Sequence, residues 1–552
     1  MPVLTVPRTW RRWGQYLAAF LLCAMLAVSC SGGEQAPDGG GSSEPDRITV
    51  GTTLDPSTLD PASTYEVAAL NLPIYNLGET LYAYDPETAE LKPQLATAMP
   101  QVSDDGLRYT IPLREGGTFH DGTPFNAEAM AFSLRRFMEN GGKPSFLLDE
   151  FVESVSATGE FELTIRLQNP FVALPSLLAF TGTCAVSPQA YEIGEGKFEP
   201  KTFVGTGPYR LAEFSSDSLT LDIFEDYWGD PPANDGVDIQ IYKDKPANLF
   251  NAFRSGSVDV AYLSLTPQQT QTLRQGAEAN KWQAMRTPGV TVSYMALNLQ
   301  QDPLGDQALR QAIAASLDRE QLVERVLNGQ GKPLYSLVPT TFEAHEPAFK
   351  QAYGQANLDL ARQKLQEASY SSDNPATIPM WYPSGSKTRS VLAQTLRAFA
   401  QQKLDGAIRF QPQSVESARF FDEIGQGSYP ATLVDWYPDF LDADNYLEPF
   451  LACQQGSPQG GCQQGGAQSQ GSFYYSERIN QLIERERRER EPQARQRLFR
   501  QIQQQLAEDV PYIPLWQSQD SIFAQSGVAG IRLNPRQALP LWSIHRQSAS
   551  AS

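Results

Sequence analysis

Acidic and aromatic side chains crowd one stretch of the chain, Asp435-Trp436-Tyr437-Pro438-Asp439-Phe440-Leu441-Asp442-Ala443-Asp444-Asn445-Tyr446. Clustered carboxylates can hold a calcium ion, but this spacing is not that of an EF-hand loop. Asp442 and Asp444-Asn445 also have the chemistry of helix caps and turns. The five cysteines contain no CxxC pair, and the three histidines, His120, His345 and His545, lie far apart. Zinc and thiol redox chemistry are therefore poorly supported, and no metal or cofactor site is expected. Hydrolytic chemistry has no better footing. There is no GxSxG elbow, no HExxH and no nucleophile with a neighbouring base. Gly205-Thr206-Gly207 continues into neither phosphate-binding glycine motif. The residues give no support to an enzyme.

The elements that must position such a site are mixed. Period-two alternation in Leu107–Ile111, Phe161–Leu167, Leu219–Ile223 and Val237–Ile241 predicts half-buried strands. Leu309, Ile313 and Leu317 recur at helical spacing. Asp318 can cap a second helix carrying Leu322, Val323, Val326 and Leu327, with Asn328-Gly329 as its stop. Val391, Leu392, Thr395, Leu396 and Phe399 form another stripe, and Ile479, Leu482 and Ile483 open a further helix. The mixed-sign run from Glu484 to Glu491 reads as a solvated face. Gln454 to Gly471, rich in Gln, Gly and Ser, reads as an inserted loop.

At 552 residues the chain exceeds one ordinary domain. The 41 glycines and 40 prolines point to many turns rather than a helical bundle. A net charge of −19 disfavours nucleic acid and anionic lipid as partners. Arg8, Arg11 and Arg12 precede an apolar run from Tyr16 to Val28, the layout of an export signal. The run ends in Leu26-Ala27-Val28-Ser29-Cys30, similar to a bacterial lipobox, which implies cleavage before Cys30 and lipid on its thiol. Residues 31–45 then read as a flexible tether. No later apolar run is long enough to span a bilayer. In an exported protein disulfides persist, so Cys453 and Cys462 are expected to pair and close the Gln-rich loop.

Five motifs in order carry a resemblance. They are Val102-Ser103-Asp104-Asp105-Gly106 leading through Leu113-Arg114-Glu115-Gly116 to Phe119-His120-Asp121-Gly122-Thr123-Pro124; Gly205-Thr206-Gly207-Pro208-Tyr209; Asp226-Tyr227-Trp228-Gly229; the segment Asp306 to Pro333; and Ala507-Glu508-Asp509-Val510-Pro511-Tyr512-Ile513-Pro514. From about Thr49 to about Trp516 the chain resembles the extracellular solute-binding proteins of family 5, receptors for oligopeptides, dipeptides and nickel chelates. Most of these motifs have structural jobs: Asp104-Asp105-Gly106 and Asp121-Gly122-Thr123-Pro124 have the chemistry of tight turns, and His120, beside one of them, reads as structural.

The resemblance implies an α/β, two-lobed, periplasmic-binding-protein-like fold (type II, Venus-flytrap) with an extra inserted domain. Lobe I would comprise 47–65, 185–292 and 516–545, the extra domain 66–184, and lobe II 293–515. It further implies a monomeric, extracytoplasmic, membrane-tethered receptor. Such a receptor closes on a short peptide and delivers it to an ABC permease with its ATPase subunits. The acid-and-aromatic stretch matches the family segment in which the Asp three residues after the Trp pairs with the ligand's α-ammonium group, here Asp439. A buried ammonium needs an anionic partner, and a charge-assisted bond supplies one. Trp436 and Tyr437 would line the cleft or simply pack. Lys387, in the loop Trp381–Lys387, is a candidate for the ligand carboxylate or an exposed lysine. A nickel-chelate or oligosaccharide receptor on the same fold, or a sensory or surface lipoprotein without transport, stays open.

Overall fold

The computed structural model describes residues 46–86, 88–263 and 265–547. The export signal, Cys30 and the tether lie outside the described residues. Among these, no helix is long and apolar enough to cross a membrane.

The alternating segments fold as expected of their period. Arg108–Pro112, Glu162–Leu167, Ser218–Ile223 and Val237–Ile241 are strands whose alternate, apolar residues face the core while the polar residues between them face the other way. An eleven-stranded sheet runs through the molecule. At its centre two long strands, Trp282–Leu297 and Tyr512–Gln525, lie antiparallel. On one side the sheet continues through Val260–Tyr262, Ile48–Thr52 and Val237–Ile241, and on the other through Ala431–Trp436, Ala376–Pro383 and Ile408–Val415. Each wing contains parallel pairs, which need crossover helices: Pro246–Ser255 on one, Lys387–Lys403 on the other. Between Pro288 and Val292 the register of the two long strands slips. At Gly289 a Cβ would meet Ser518 Oγ at 1.8 Å and Asp520 Oδ2 at 2.5 Å, so any larger residue would displace those two side chains.

Two large apolar clusters flank this sheet. One gathers residues from Val292 to Trp516, the other residues from Ile48 to Tyr262 together with Ile522 to Ile544. The second cluster also takes in the four-stranded sheet Gln101–Val102, Arg108–Pro112, Glu162–Leu167 and Val152–Gly159 with its helix Ala127–Glu139, so this extra layer shares one core with the lobe that carries it. The architecture is a mixed α/β, two-lobed fold of the type II kind, with an added antiparallel layer on one lobe.

Local signals explain the motif residues. Asp318 caps Arg319–Leu327 by accepting from Gln321 N, and Asn328 ends it at φ 50°. Gly106 and Gly122 sit at φ 76° and 82° in their turns. Gly205 and Gly207 are needed for close approach instead, because a Cβ on either would lie under 3 Å from the backbone of Leu77. His120 bonds Gly205 N and Gly207 O. Tyr227 and Trp228 donate to the buried Glu79 carboxylate at 2.9 and 2.8 Å.

Three expectations need correction. Val391 is 46% exposed, because the buried face of Lys387–Lys403 is carried by Leu392, Leu396 and Phe399 at the helical period. Gln454 to Gly471 is not a featureless loop: Gln455–Ser457 and Gly461–Gln464 form a hairpin, closed by the Cys453–Cys462 disulfide and followed by the turn of helix Gly466–Ser469. The charged run from Glu484 is not wholly solvated. Glu486 is 1% exposed, and Arg487 turns inward to an ion cluster.

Candidate functional site

A cavity of about 630 Å³ opens between the lobes. The strand Ala431–Trp436 delivers Val434, Asp435 and Trp436 to one wall, and the chain then bends through Tyr437 and Pro438 to Asp439. Phe440 continues across the gap. It is buried in the core of the opposite lobe, edge-on to Phe171 with centroids 6.0 Å apart. Leu441 N donates to Tyr84 Oη at 2.9 Å. The loop that carries Asp439 is thus held at both ends, which fixes its carboxylate without the ligand's help.

Asp439 is 5% exposed. Tyr65 Oη, from the first lobe, donates to its Oδ1, and Asn445 Nδ2 donates to Oδ2 at 3.3 Å. Burial pushes its pKa above the ordinary value, against those two hydrogen bonds and the charge of Arg536. No cation lies in ion-pair contact with it among the described residues. Asp435, four residues earlier, is already satisfied by Arg389 Nη2 at 2.7 Å and by Ser293 Oγ. Of the two carboxylates on this wall, Asp439 is the one left for a ligand cation.

Trp436 and Tyr437 both line the cavity, and Tyr437 is half exposed there. The Trp436 ring packs edge-on against Phe450, so it serves the core as well. Its Nε1, like Thr291 Oγ1 on the same cavity, is buried without a hydrogen-bond partner. Tyr65, Phe180, Tyr294 and Phe421 add further aromatic rings to the lining. Lys387 opens its helix as an exposed residue and is not on the cavity wall. Arg536 was not singled out in the sequence, yet it lines the same cavity. It lies in an irregular C-terminal segment with no periodicity to flag it. The contact that places it, the stacking of its guanidinium 5.3 Å above Phe180, joins residues over 350 positions apart.

A second cluster bridges the lobes beside the cavity. Arg487 Nε pairs with Asp444 at 2.9 Å, its Nη2 with Glu448 at 3.2 Å and its Nη1 with Glu150 of the extra layer at 3.8 Å. The same guanidinium lies over Phe151 and Phe171 at 5.1 and 5.4 Å. Arg495 pairs with Asp442 at 2.6 Å and Glu486 at 2.9 Å. Five carboxyls surround two guanidiniums. Burial first, and like charge second, raises Glu448 to about 7 and Glu486 well above its ordinary value.

This is the geometry of a receptor that closes on a solute. The family model for bacterial extracellular solute-binding proteins, family 5 Middle, matches residues 90–458. The chain belongs to this family of extracytoplasmic receptors, which are solute-binding proteins rather than enzymes. It is 25% identical to the probable D,D-dipeptide-binding periplasmic protein DdpA of Escherichia coli K12, over 89% of this chain and 92% of that one. It is 27% identical to the glutathione-binding protein GsiB of Shigella flexneri, over 84% and 86%. Its fold is similar to that of the periplasmic binding protein DppA of Helicobacter pylori, solved in complex with the peptide STSA. The TM-score is 0.73 at 21% identity, covering 91% of this chain and 98% of that one.

Proposed function

We propose that this protein is the receptor of an ABC importer for short peptides, with Asp439 as the anchor for the ligand's free amino group. The observation that carries this is Asp439 itself: a buried carboxylate on a fixed loop, bonded only by neutral donors, on the wall of an interlobe cavity. A carboxylate in such a place holds an ammonium strongly, because the site has excluded the competing water. At about 630 Å³ the cavity falls within the ~300–1,000 Å³ range of small-ligand sites. The two relatives named for a dipeptide and for glutathione support the same ligand class. Trp436 Nε1 and Thr291 Oγ1 would bond the peptide backbone, giving affinity indifferent to side chains. The receptor would be tethered by lipid on Cys30 and would hand its cargo to a membrane permease driven by ATPase subunits. Lobe I would span 47–65, 185–292 and 516–545, the extra domain 66–184 and lobe II 293–515.

Calorimetric titration of the purified protein with di- to tetrapeptides and their N-acetylated forms tests the anchor. Free peptides should bind, N-acetylation should weaken binding by about 2–5 kcal/mol, and Asp439→Asn should do the same. Equal affinity for free and acetylated peptides would remove Asp439 from this role.

A further inference from the structure

Arg536 is a cation with no carboxylate in ion-pair contact among the described residues, and it faces the same cavity as Asp439. Its environment is built rather than incidental. The turn around it is fixed by Ala538 N donating to Asn534 Oδ1 at 2.8 Å and by Gln537 N donating to Asn534 O at 2.9 Å. Asn71 Nδ2 holds the Arg536 carbonyl at 2.8 Å, and Tyr262 Oη holds that of Gln537 at 2.7 Å. The guanidinium rests over the Phe180 ring, and its Nε is buried without a partner. Neutral phenols, Tyr84, Tyr65 and Tyr446, stand nearby, and Asp439 is the carboxylate within electrostatic reach. Burial lowers the pKa of Arg536, as expected of a cation short of counter-charge. The other cation on this wall, Lys143, is exposed and solvated.

A fixed, stacked and partly desolvated guanidinium is suited to a carboxylate, whose two oxygens match its fork. Resting on the peptide reading above, we propose that Arg536 binds a carboxylate of the ligand, so that the preferred ligand is a compact zwitterion with its ammonium on Asp439 and its carboxylate close by on Arg536. Two sources supply that chemistry. One is a dipeptide held by both its termini. The other is a peptide whose amino end is itself an α-amino-acid head, as in a γ-glutamyl linkage. Longer α-linked peptides place their carboxylate too far from the ammonium to reach Arg536.

The test is calorimetry on the purified protein and on Arg536→Gln and Arg536→Lys, with Ala-Ala, its C-terminal amide and γ-glutamyl-alanine amide. The unaltered protein should bind at least one of the two carboxylate-bearing probes about 30-fold or more tighter than Ala-Ala amide. Whichever acid wins identifies the source. Arg536→Gln should collapse the preference to within a few-fold, Arg536→Lys should keep part of it, and the unliganded melting temperature of Arg536→Gln should not fall. If Ala-Ala amide binds as well as both acids, the peptide reading stands and the role of Arg536 is overturned. A loss in Arg536→Gln that is equal for acid and amide makes the residue merely structural. If none of the three probes binds the unaltered protein while tri- or tetrapeptides do, this inference fails and the peptide reading stands; if no di- to tetrapeptide binds, both fail.

Discussion

Two charged clusters join the lobes, and they are paired in opposite ways. Around Arg487 and Arg495 each guanidinium is paired with at least two carboxyls, and carboxyls are in excess. In the cavity, Asp439 accepts hydrogen bonds only from neutral donors, and Arg536 has an aromatic face, neighbouring neutral phenols and Asp439 within electrostatic reach, but no carboxylate in ion-pair contact among the described residues. The first arrangement is complete without a ligand and holds structure together. The second carries two under-compensated charges that a ligand of matching charge would complete. Unpaired buried charge, more than the number of charges, separates the binding cluster from the supporting one.

The largest effect should come from breaking the paired side. Arg487→Met leaves Asp444 and Glu448 buried without their cation, and should lower stability by about 3–5 kcal/mol in chemical denaturation. An Asp439→Asn protein should lose ligand affinity while its unliganded stability stays level or rises, since it removes a charge that burial disfavours. Equal losses of stability in the two variants would erase the distinction.

The clusters should also respond to pH with opposite sign. Glu448, raised by burial from 4.5 to about 7, holds its proton in the folded state where the unfolded chain has lost it. Its contribution to stability is therefore whole below pH 4.5 and is lost as pH rises through about 7. Glu486 and Glu150 are shifted the same way. At Asp444 the upward push of burial is outweighed by the charge and hydrogen bonds of Arg487, so its opposite effect falls below its ordinary 3.8. Between pH 4.5 and 7 unliganded stability should fall with rising pH, and Glu448→Gln should flatten the slope. Asp439 must be ionised to hold an ammonium, and its pKa is raised, so ligand affinity should instead weaken as pH falls into the acid range. Parallel slopes would show that one titration governs both.

The smallest expected change is Tyr65→Phe. It keeps the ring contacts with Phe146 and Phe180 and removes one hydrogen bond to Asp439. Affinity should drop by about 1 kcal/mol, with little change in unliganded stability.

The same contrast marks what the sequence could and could not show. The strands and caps were legible because alternation in Val237–Ile241 and the Asp318 cap are local physics. Asp439 was legible only through its motif. Arg536 was invisible, since its meaning comes from Phe180 and Asp439, both distant in sequence. Arg487 was misread with its neighbours: a run of alternating charges looks solvated, and only the fold shows that Glu486 and Arg487 point inward while Arg488 stays out.

The slipped register between the two central strands has a mechanical corollary. Both strands pass between the lobes together, and their regular ladder is interrupted twice in close succession, between Pro288 and Val292 and between Ser293 and Tyr294. A paired ribbon bends most easily where its rungs are missing, and two strands crossing side by side resist torsion more than flexion. Any relative motion of the lobes would then be reduced to something close to a single angle. Whatever cargo sits inside, the outer outline would converge on one shape, so a membrane partner could gauge occupancy without inspecting the contents.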